Sequence, residues 1–111
     1  MPSRKTLAVI STVLVMGFVT VLIVLSMYGG SDTYTPTTDD PATIFQEACA
    51  RCHGEGGVGG GDDGIGPALR GRGEPAAEVI EHVKEGKGRM PRFPNLQGRA
   101  LENLAVYVSG L

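Results

Sequence analysis

Residues 49–53 read Cys-Ala-Arg-Cys-His, and they contain both cysteines of the chain. A disulfide between Cys49 and Cys52 would close a very small loop and would stabilise the fold little. A redox-active dithiol is expected beside a strand in a βαβ pattern, which the flanking sequence lacks. A zinc site needs four ligands, and only His82 remains to complete one. The pattern therefore favours a fourth kind of site.

C-x-x-C-H is the attachment sequence of a c-type haem. Two thiols three residues apart can add to the two vinyl groups on one edge of a porphyrin. The imidazole of the next residue then lies under the iron as an axial ligand. The sequence therefore predicts one haem c, covalently bound through Cys49 and Cys52, with His53 as a metal ligand.

Length and composition agree with a domain built around a cofactor. The chain has 111 residues, with 17 glycines, no tryptophan and 5% aromatic residues. A domain this small and this poor in large side chains buries little apolar surface unaided. The net charge is −2 and no block of Lys or Arg occurs, so no nucleic-acid partner is predicted.

The first 28 residues are predicted to be a cytoplasmic tip and a single-pass membrane anchor. Residues 7–27 carry no charge, and about 20 apolar residues span the hydrocarbon core of a bilayer. Arg4 and Lys5 precede this stretch, so the positive-inside rule leaves the N-terminus in the cytoplasm. Residues 29–111 then lie on the periplasmic side of a bacterial inner membrane.

The alternative for this stretch is a cleaved signal peptide. Its apolar region would run for only about 7–15 residues and end at a small-x-small cleavage site. Here the apolar run is longer, and Tyr28 stands where a small residue is needed. An uncleaved anchor surrounded by membrane lipid is favoured.

Beyond the anchor we predict a flexible tether over residues 29–40 and one all-α domain over residues 41–111. The tether lacks hydrophobic periodicity. The domain is predicted to hold about three to four helices, with no alternating strand pattern. One begins at Asp40-Pro41 and runs into the cysteines, one follows Pro75 and ends at Gly86, and one covers residues 97–109. The glycine-rich stretch 54–66 is predicted to be irregular.

Five features occur in an order that resembles class I c-type cytochromes. They are Phe45 four residues before the first cysteine, the C-x-x-C-H, Gly66-Pro67-Ala68-Leu69, a G-x-x-x-M-P from Gly86 to Pro91, and Tyr107 late in the last helix. The resemblance covers nearly all of residues 41–111. It implies a small helical fold around one haem.

The resemblance also implies a role for each site residue. His53 would be the proximal ligand and Met90 the distal ligand, while Pro67 and Leu69 would complete the cofactor-binding set. The Pro67 carbonyl would accept from the other ring nitrogen of His53. Met90 is also favoured by elimination, because every other methionine lies in the first 27 residues.

His82 is the rival sixth ligand. It stands among Glu78, Glu81 and Glu85, on the side of the helix that the sequence pattern predicts to be polar. We therefore predict a solvated surface histidine.

The predicted function is electron transfer rather than catalysis, because both axial positions of the iron would be filled. The expected partners are membrane redox complexes: a quinol-oxidising complex, a reaction centre or a terminal oxidase. A free shuttle and a fixed subunit both remain open. The alternatives are a haem enzyme or gas sensor with a displaceable sixth ligand, and a non-haem redox or metal module.

Three cations surround Met90 in the sequence, namely Lys87, Arg89 and Arg92, with no acid between residues 86 and 96. They are interpreted either as ordinary solvated charges or as a basic rim that steers an acidic partner.

Overall fold

The computed structural model of the protein describes residues 1–27, 30–62 and 64–111. The predicted junction between anchor and tether, at residues 28 and 29, lies outside them, as does residue 63 of the glycine-rich stretch. The described residues form four helices: α1 (Arg4–Met27), α2 (Pro41–Ile44, Phe45–Cys49 and Ala50–His53 in succession), α3 (Ala76–Glu85) and α4 (Gly98–Ser109), with a 3₁₀ turn at Glu55–Gly57. Within the described ranges β-pairing is limited to two isolated bridges. The all-α prediction is confirmed.

α1 is long and apolar enough to cross a membrane. Its 24 residues would extend about 36 Å, against a hydrocarbon core of about 30 Å. None of its side chains is buried against the rest of the protein. The hydroxyls of Thr12, Thr20 and Ser26 donate to carbonyls of the same helix, so they need no water. The helix therefore suits a lipid environment.

α2 begins as the sequence predicts and then widens. The Asp40 carboxylate accepts from Thr43 N at 3.0 Å and from the Thr43 hydroxyl at 2.6 Å, and these bonds lower the pKa of Asp40. Pro41 occupies the first turn, where its missing N–H is tolerated. From Phe45 to Cys49 the helix becomes a π-helix, and Ala50–His53 is again α-helical. The wide turn thus runs from a buried aromatic ring to the first cysteine, and the second cysteine follows it.

The core forms where α2 and α3 pack against α4. The Phe45 and Tyr107 rings meet at this crossing, with centroids 5.8 Å apart and planes inclined by 54°. The apolar residues that recur at three- and four-residue spacing on α4 are buried: Leu101, Leu104, Ala105 and Val108.

Replacing Leu104 with alanine is expected to lower the free energy of unfolding by about 2–5 kcal/mol, because Leu104 is fully buried. Thermal unfolding of the full-length protein in detergent measures this change. Val106 on the same helix is 66% exposed, so Val106→Ala is the matched control and is expected to change stability by less than about 0.5 kcal/mol. Equal losses in both variants would contradict the packing described here.

The segment of residues 30–40 lies against the domain. Ser31 forms a parallel bridge with Arg92. Asn95 Nδ2 donates to Thr33 O at 3.4 Å, and Asn103 Nδ2 donates to Asp39 O at 3.1 Å. Residues 30–40 of the predicted tether therefore contact the domain, and the flexibility of the tether stays a prediction. The bonds are made by backbone groups and short polar side chains, which leave no hydrophobic periodicity in the sequence.

Candidate cofactor site

A cavity of about 420 Å³ lies between α2, α3, α4 and the loop that follows α3. All six residues predicted for the site line it: Cys49, Cys52, His53, Pro67, Leu69 and Met90. They come from three separate stretches of the chain, which only the folded structure brings together. The volume lies in the usual range for ligand and cofactor sites.

The His53 ring is held by one backbone carbonyl. Its Nδ1 lies 2.8 Å from Pro67 O. A carbonyl oxygen can only accept, so Nδ1 carries the hydrogen and the lone pair lies on Nε2. The preceding Gly66 donates its N–H to Cys52 O at 3.0 Å, and a Cβ at position 66 would overlap that carbonyl. Glycine therefore permits the close approach that brings Pro67 O to the ring.

The glycine-rich stretch packs its backbone on the C-x-x-C-H segment. Gly59 N donates to His53 O at 2.5 Å, and Gly61 N donates to Cys52 O at 3.1 Å. These bonds satisfy carbonyls at the C-terminal end of α2, which has no further helical turn to do so. Of the described residues of this stretch, Ile65 and Gly66 line the cavity.

The two thiols do not form a disulfide. Burial raises the pKa of Cys49 to about 12, and the neighbouring Cys52 adds to the shift. A protonated thiol is a slow partner in dithiol exchange, which needs the thiolate. Within residues 1–27, 30–62 and 64–111, no group of three His, Cys, Asp or Glu side chains could hold a metal ion. These observations weigh against the non-haem module.

Met90 lies in a loop with little freedom. Lys87 N donates to Met90 O at 3.1 Å, and Met90 N donates to Lys87 O at 2.9 Å. Gly86 opens this turn with φ 73°, and a Cβ there would lie 2.8 Å from Met90 O. Beyond Met90, the buried Phe93 donates its N–H to Val83 O at 2.8 Å. The loop is therefore fixed on both sides of the methionine.

His82 also lines the cavity, contrary to the surface position predicted for it. Its side chain is 28% exposed, and Nδ1 lies 3.9 Å from Glu74 Oε1. Position 82 is three residues after Val79 and next to Val83, and both valines point into the core. It therefore borders the inward face of α3. The three nearby glutamates masked this in the sequence, although the i, i+3 spacing from Val79 could have revealed it.

The cavity has apolar walls and a charged mouth. Its walls include Ile65, Val79, Val83, Phe93, Leu104 and Val108. The charged lining comprises four cations, Arg51, Arg72, Lys87 and Arg89, and one carboxylate, Glu74. Arg92, the third cation of the predicted rim, donates instead from Nε to Ser31 Oγ at 2.9 Å. Phe93 was not among the residues predicted for the site, because Pro91 and Pro94 lie on either side of it and disrupt any helical pattern.

These residues could hold a haem. Two cysteines stand at one end of an apolar cavity, and the donor set contains an imidazole nitrogen and a thioether sulfur. Cations at the mouth match the two carboxylates that a haem carries.

The family model for cytochrome c oxidase, cbb3-type, subunit III matches residues 36–108, more than half of the chain. The match begins inside the segment predicted as a tether and includes every residue of the candidate site. No solved structure matches the chain.

Three curated proteins are similar to the chain. It is 37% identical to the cbb3-type cytochrome c oxidase subunit CcoP of Cereibacter sphaeroides, over 74% of this chain and 30% of that protein. It is 32% identical to the corresponding subunit FixP of Azorhizobium caulinodans, over 79% of this chain and 32% of that protein. It is 33% identical to the cytochrome c subunit of 4-cresol dehydrogenase [hydroxylating] of Pseudomonas putida, over 61% of this chain and 57% of that protein.

The chain thus spans between about a third and somewhat over half of the length of these relatives. Two of the three are subunits of a terminal oxidase, and the third is named as a cytochrome c subunit. Together with the family match and the helical fold, they place this protein among the electron-transfer cytochromes. The chain belongs to the family of cbb3-type cytochrome c oxidase subunit III.

Proposed function

We propose that this protein is a membrane-anchored electron carrier with one haem c, attached through Cys49 and Cys52 and ligated by His53 and Met90. The observation that carries the proposal is the cavity, which both thiols, the oriented imidazole and the thioether line together. When bound, the haem supplies a reversible one-electron Fe(III)/Fe(II) couple.

The residues of the chain would orient and tune this couple. The hydrogen bond from His53 Nδ1 to Pro67 O holds the ring in one tautomer and makes Nε2 a stronger donor to a metal. Met90 provides a neutral, polarizable sulfur, a ligand that favours the reduced state and raises the potential. Leu69 and the valines of α3 keep water away from one side of the cavity.

The proposal assigns no catalytic residue. If His53 and Met90 both held the iron, no position on the metal would be left for a substrate. The alternative, a haem enzyme or gas sensor, requires the sixth position to open. The turn that joins Lys87 to Met90 and the anchoring of Phe93 oppose such opening.

For location and partners, we propose a single-pass protein of a bacterial inner membrane, with the cofactor domain on the periplasmic side. Arg4 and Lys5, at the N-terminal end of α1, support this orientation. The oxidase subunits among the relatives favour a terminal oxidase as a partner, over a quinol-oxidising complex or a reaction centre.

The full-length protein, produced with haem-attachment machinery and purified in mild detergent, tests the proposal. We expect haem that stays on the polypeptide in a denaturing gel, and a reduced form that does not bind carbon monoxide at neutral pH. Haem removed by acid–acetone extraction would refute covalent attachment. Rapid carbon monoxide binding would favour the enzyme or sensor instead. Identifying the subunits that co-purify from native membrane tests the partner.

The charged mouth gives a prediction about docking. The double variant Lys87→Glu with Arg89→Glu reverses two cations that line the cavity. We expect slower electron transfer to an acidic partner at low salt and a nearly normal rate at high salt, because salt screens charges beyond about 10 Å at 0.1 M. Stopped-flow rates over a range of ionic strength measure this, with the visible spectrum unchanged.

Lys84 and Arg99 provide the matched control for docking. Both are exposed on helices, and neither lines the cavity. Their double substitution with glutamate changes the net charge by the same amount. If both doubles slow transfer equally, the net charge and not the mouth decides the rate. A rate that is unaffected at every ionic strength would contradict docking by the mouth.

A further inference from the structure

We propose that residues 30–34, which we call the strap, position Met90 and set how often the methionine leaves the cofactor. The strap lies between the membrane helix and the C-terminal domain in the chain. The inference rests on Met90 being the distal ligand, as proposed above, and it assigns a role to a segment predicted to be only a tether.

One side of the strap is paired with the chain just after Met90. Asp32 N donates to Arg92 O at 2.8 Å, and Arg92 N donates to Gly30 O at 3.0 Å. The Arg92 side chain adds a third bond, from Nε to Ser31 Oγ at 2.9 Å. Arg92 is two residues after Met90, so this pairing holds the backbone that follows the methionine.

The strap is also fixed to α2. Tyr34 OH donates to a Glu47 carboxylate oxygen at 2.7 Å, and the Tyr34 ring packs against the core. Burial, together with Glu47, raises the pKa of Tyr34, so the phenol remains a donor at neutral pH. The Asp32 carboxylate lies 3.6 Å from the guanidinium of Arg51, a residue that stands between the two cysteines in the sequence.

The strap therefore connects the helix that carries both thiols with the loop that carries Met90. Departure of the methionine requires that loop to move outward. The turn at Lys87 restrains the loop before Met90, and the strap restrains it after Met90. Losing a single hydrogen bond of ordinary strength changes an equilibrium by up to about tenfold. We expect changes of this size in the fraction of protein with an open iron.

Imidazole added to the oxidised, full-length protein in detergent measures that fraction. Its apparent affinity is its intrinsic affinity multiplied by the fraction of molecules from which Met90 has departed. Asp32→Pro removes the N–H that donates to Arg92 O and the carboxylate that accepts from Tyr34 N, and we expect imidazole to bind about tenfold more tightly. The reduced variant should also bind carbon monoxide faster, by a similar factor.

Asp32→Asn is the matched control, because it keeps the backbone N–H and removes only the charge that faces Arg51. An ion pair this exposed contributes little, so imidazole affinity should stay within about twofold of the parent. Equal tightening in both variants would overturn the proposal, because the charge and not the pairing would then control the loop.

Two substitutions of Ser31 test the proposal independently, and they remain usable if the variant Asp32→Pro does not fold. Ser31→Ala removes the acceptor for Arg92 Nε, and Ser31→Thr restores a hydroxyl. We expect tighter imidazole binding in the first and recovery in the second. Ile44→Val weakens the core away from the cavity, so it controls for a general loss of stability. Tighter binding in that variant would also overturn the proposal.

The absorption band of methionine-ligated ferric haem distinguishes failure of the proposed function from failure of the role proposed for the strap. If the parent protein lacks this band, the proposed function fails and the strap fails with it. If the parent has the band and the strap variants bind imidazole as the parent does, only the strap is refuted.

Discussion

In the double variant Cys49→Ser with Cys52→Ser, no haem is expected to remain on the polypeptide after denaturation. Each thiol is the point of one thioether bond to the cofactor, and the chain has no other cysteine. The domain should also lose stability, because the apolar walls of a cavity of about 420 Å³ would be left without a permanent occupant. Haem staining of a denaturing gel and thermal unfolding measure the two effects.

The single variants are the controls for this loss. Cys49→Ser and Cys52→Ser each keep one thiol, so some haem should remain on the polypeptide. His53 is intact in the double variant, and haem that it binds should be extractable by acid–acetone. Covalent haem retained at the parent level in the double variant would contradict the proposed attachment.

Replacing Met90 with alanine is expected to keep the covalent haem and to open one side of the iron. Water or a nitrogen donor would then take the place of the thioether. These ligands favour the oxidised state, so the potential should fall by on the order of 0.1 V, within the range of about 0.8 V that axial ligands span. The reduced variant should bind carbon monoxide at neutral pH. Redox titration and the visible spectrum measure both changes.

His82 is the control for this variant, because it lines the same cavity. His82→Ala alone should leave the spectrum of the parent intact. In Met90→Ala with His82→Ala, a nitrogen ligand supplied by His82 would be lost, and carbon monoxide should bind faster than in the single variant. If Met90→Ala retains the spectrum and potential of the parent, Met90 is not the ligand and His82 takes its place as the candidate.

The helices could be predicted well from the sequence, because their signals are local. Asp40 caps α2, Gly86 ends α3 with a positive φ, and the apolar stripe of α4 is buried as the 3.6-residue period requires. The bounds of α3 and α4 differ from the prediction by about one residue, whereas α1 begins three residues before the predicted span. Each of these features depends on residues within one or two turns of each other.

The candidate site was predicted in part. The six residues predicted for it line one cavity, while their bonds to a haem remain predictions. The spacing of His82 from the buried Val79 indicates the inward border of α3, but the three nearby glutamates masked this signal. The sequence could not reveal the pairing of Ser31 with Arg92, because backbone groups make most of those bonds and any residue type supplies them.

The π-helix at Phe45–Cys49 is where α2 can change its length. A π turn holds about one residue more than an α turn, so deleting a residue there would restore a regular helix. Because the wide turn takes up the extra residue within one turn, the residues after it would keep nearly the same direction relative to Phe45. With the ring of Phe45 packed against Tyr107, both thiols and His53 would still face the cavity. The wide turn therefore lets the segment between Phe45 and the cysteines lose one residue without turning the thiols away from the cavity.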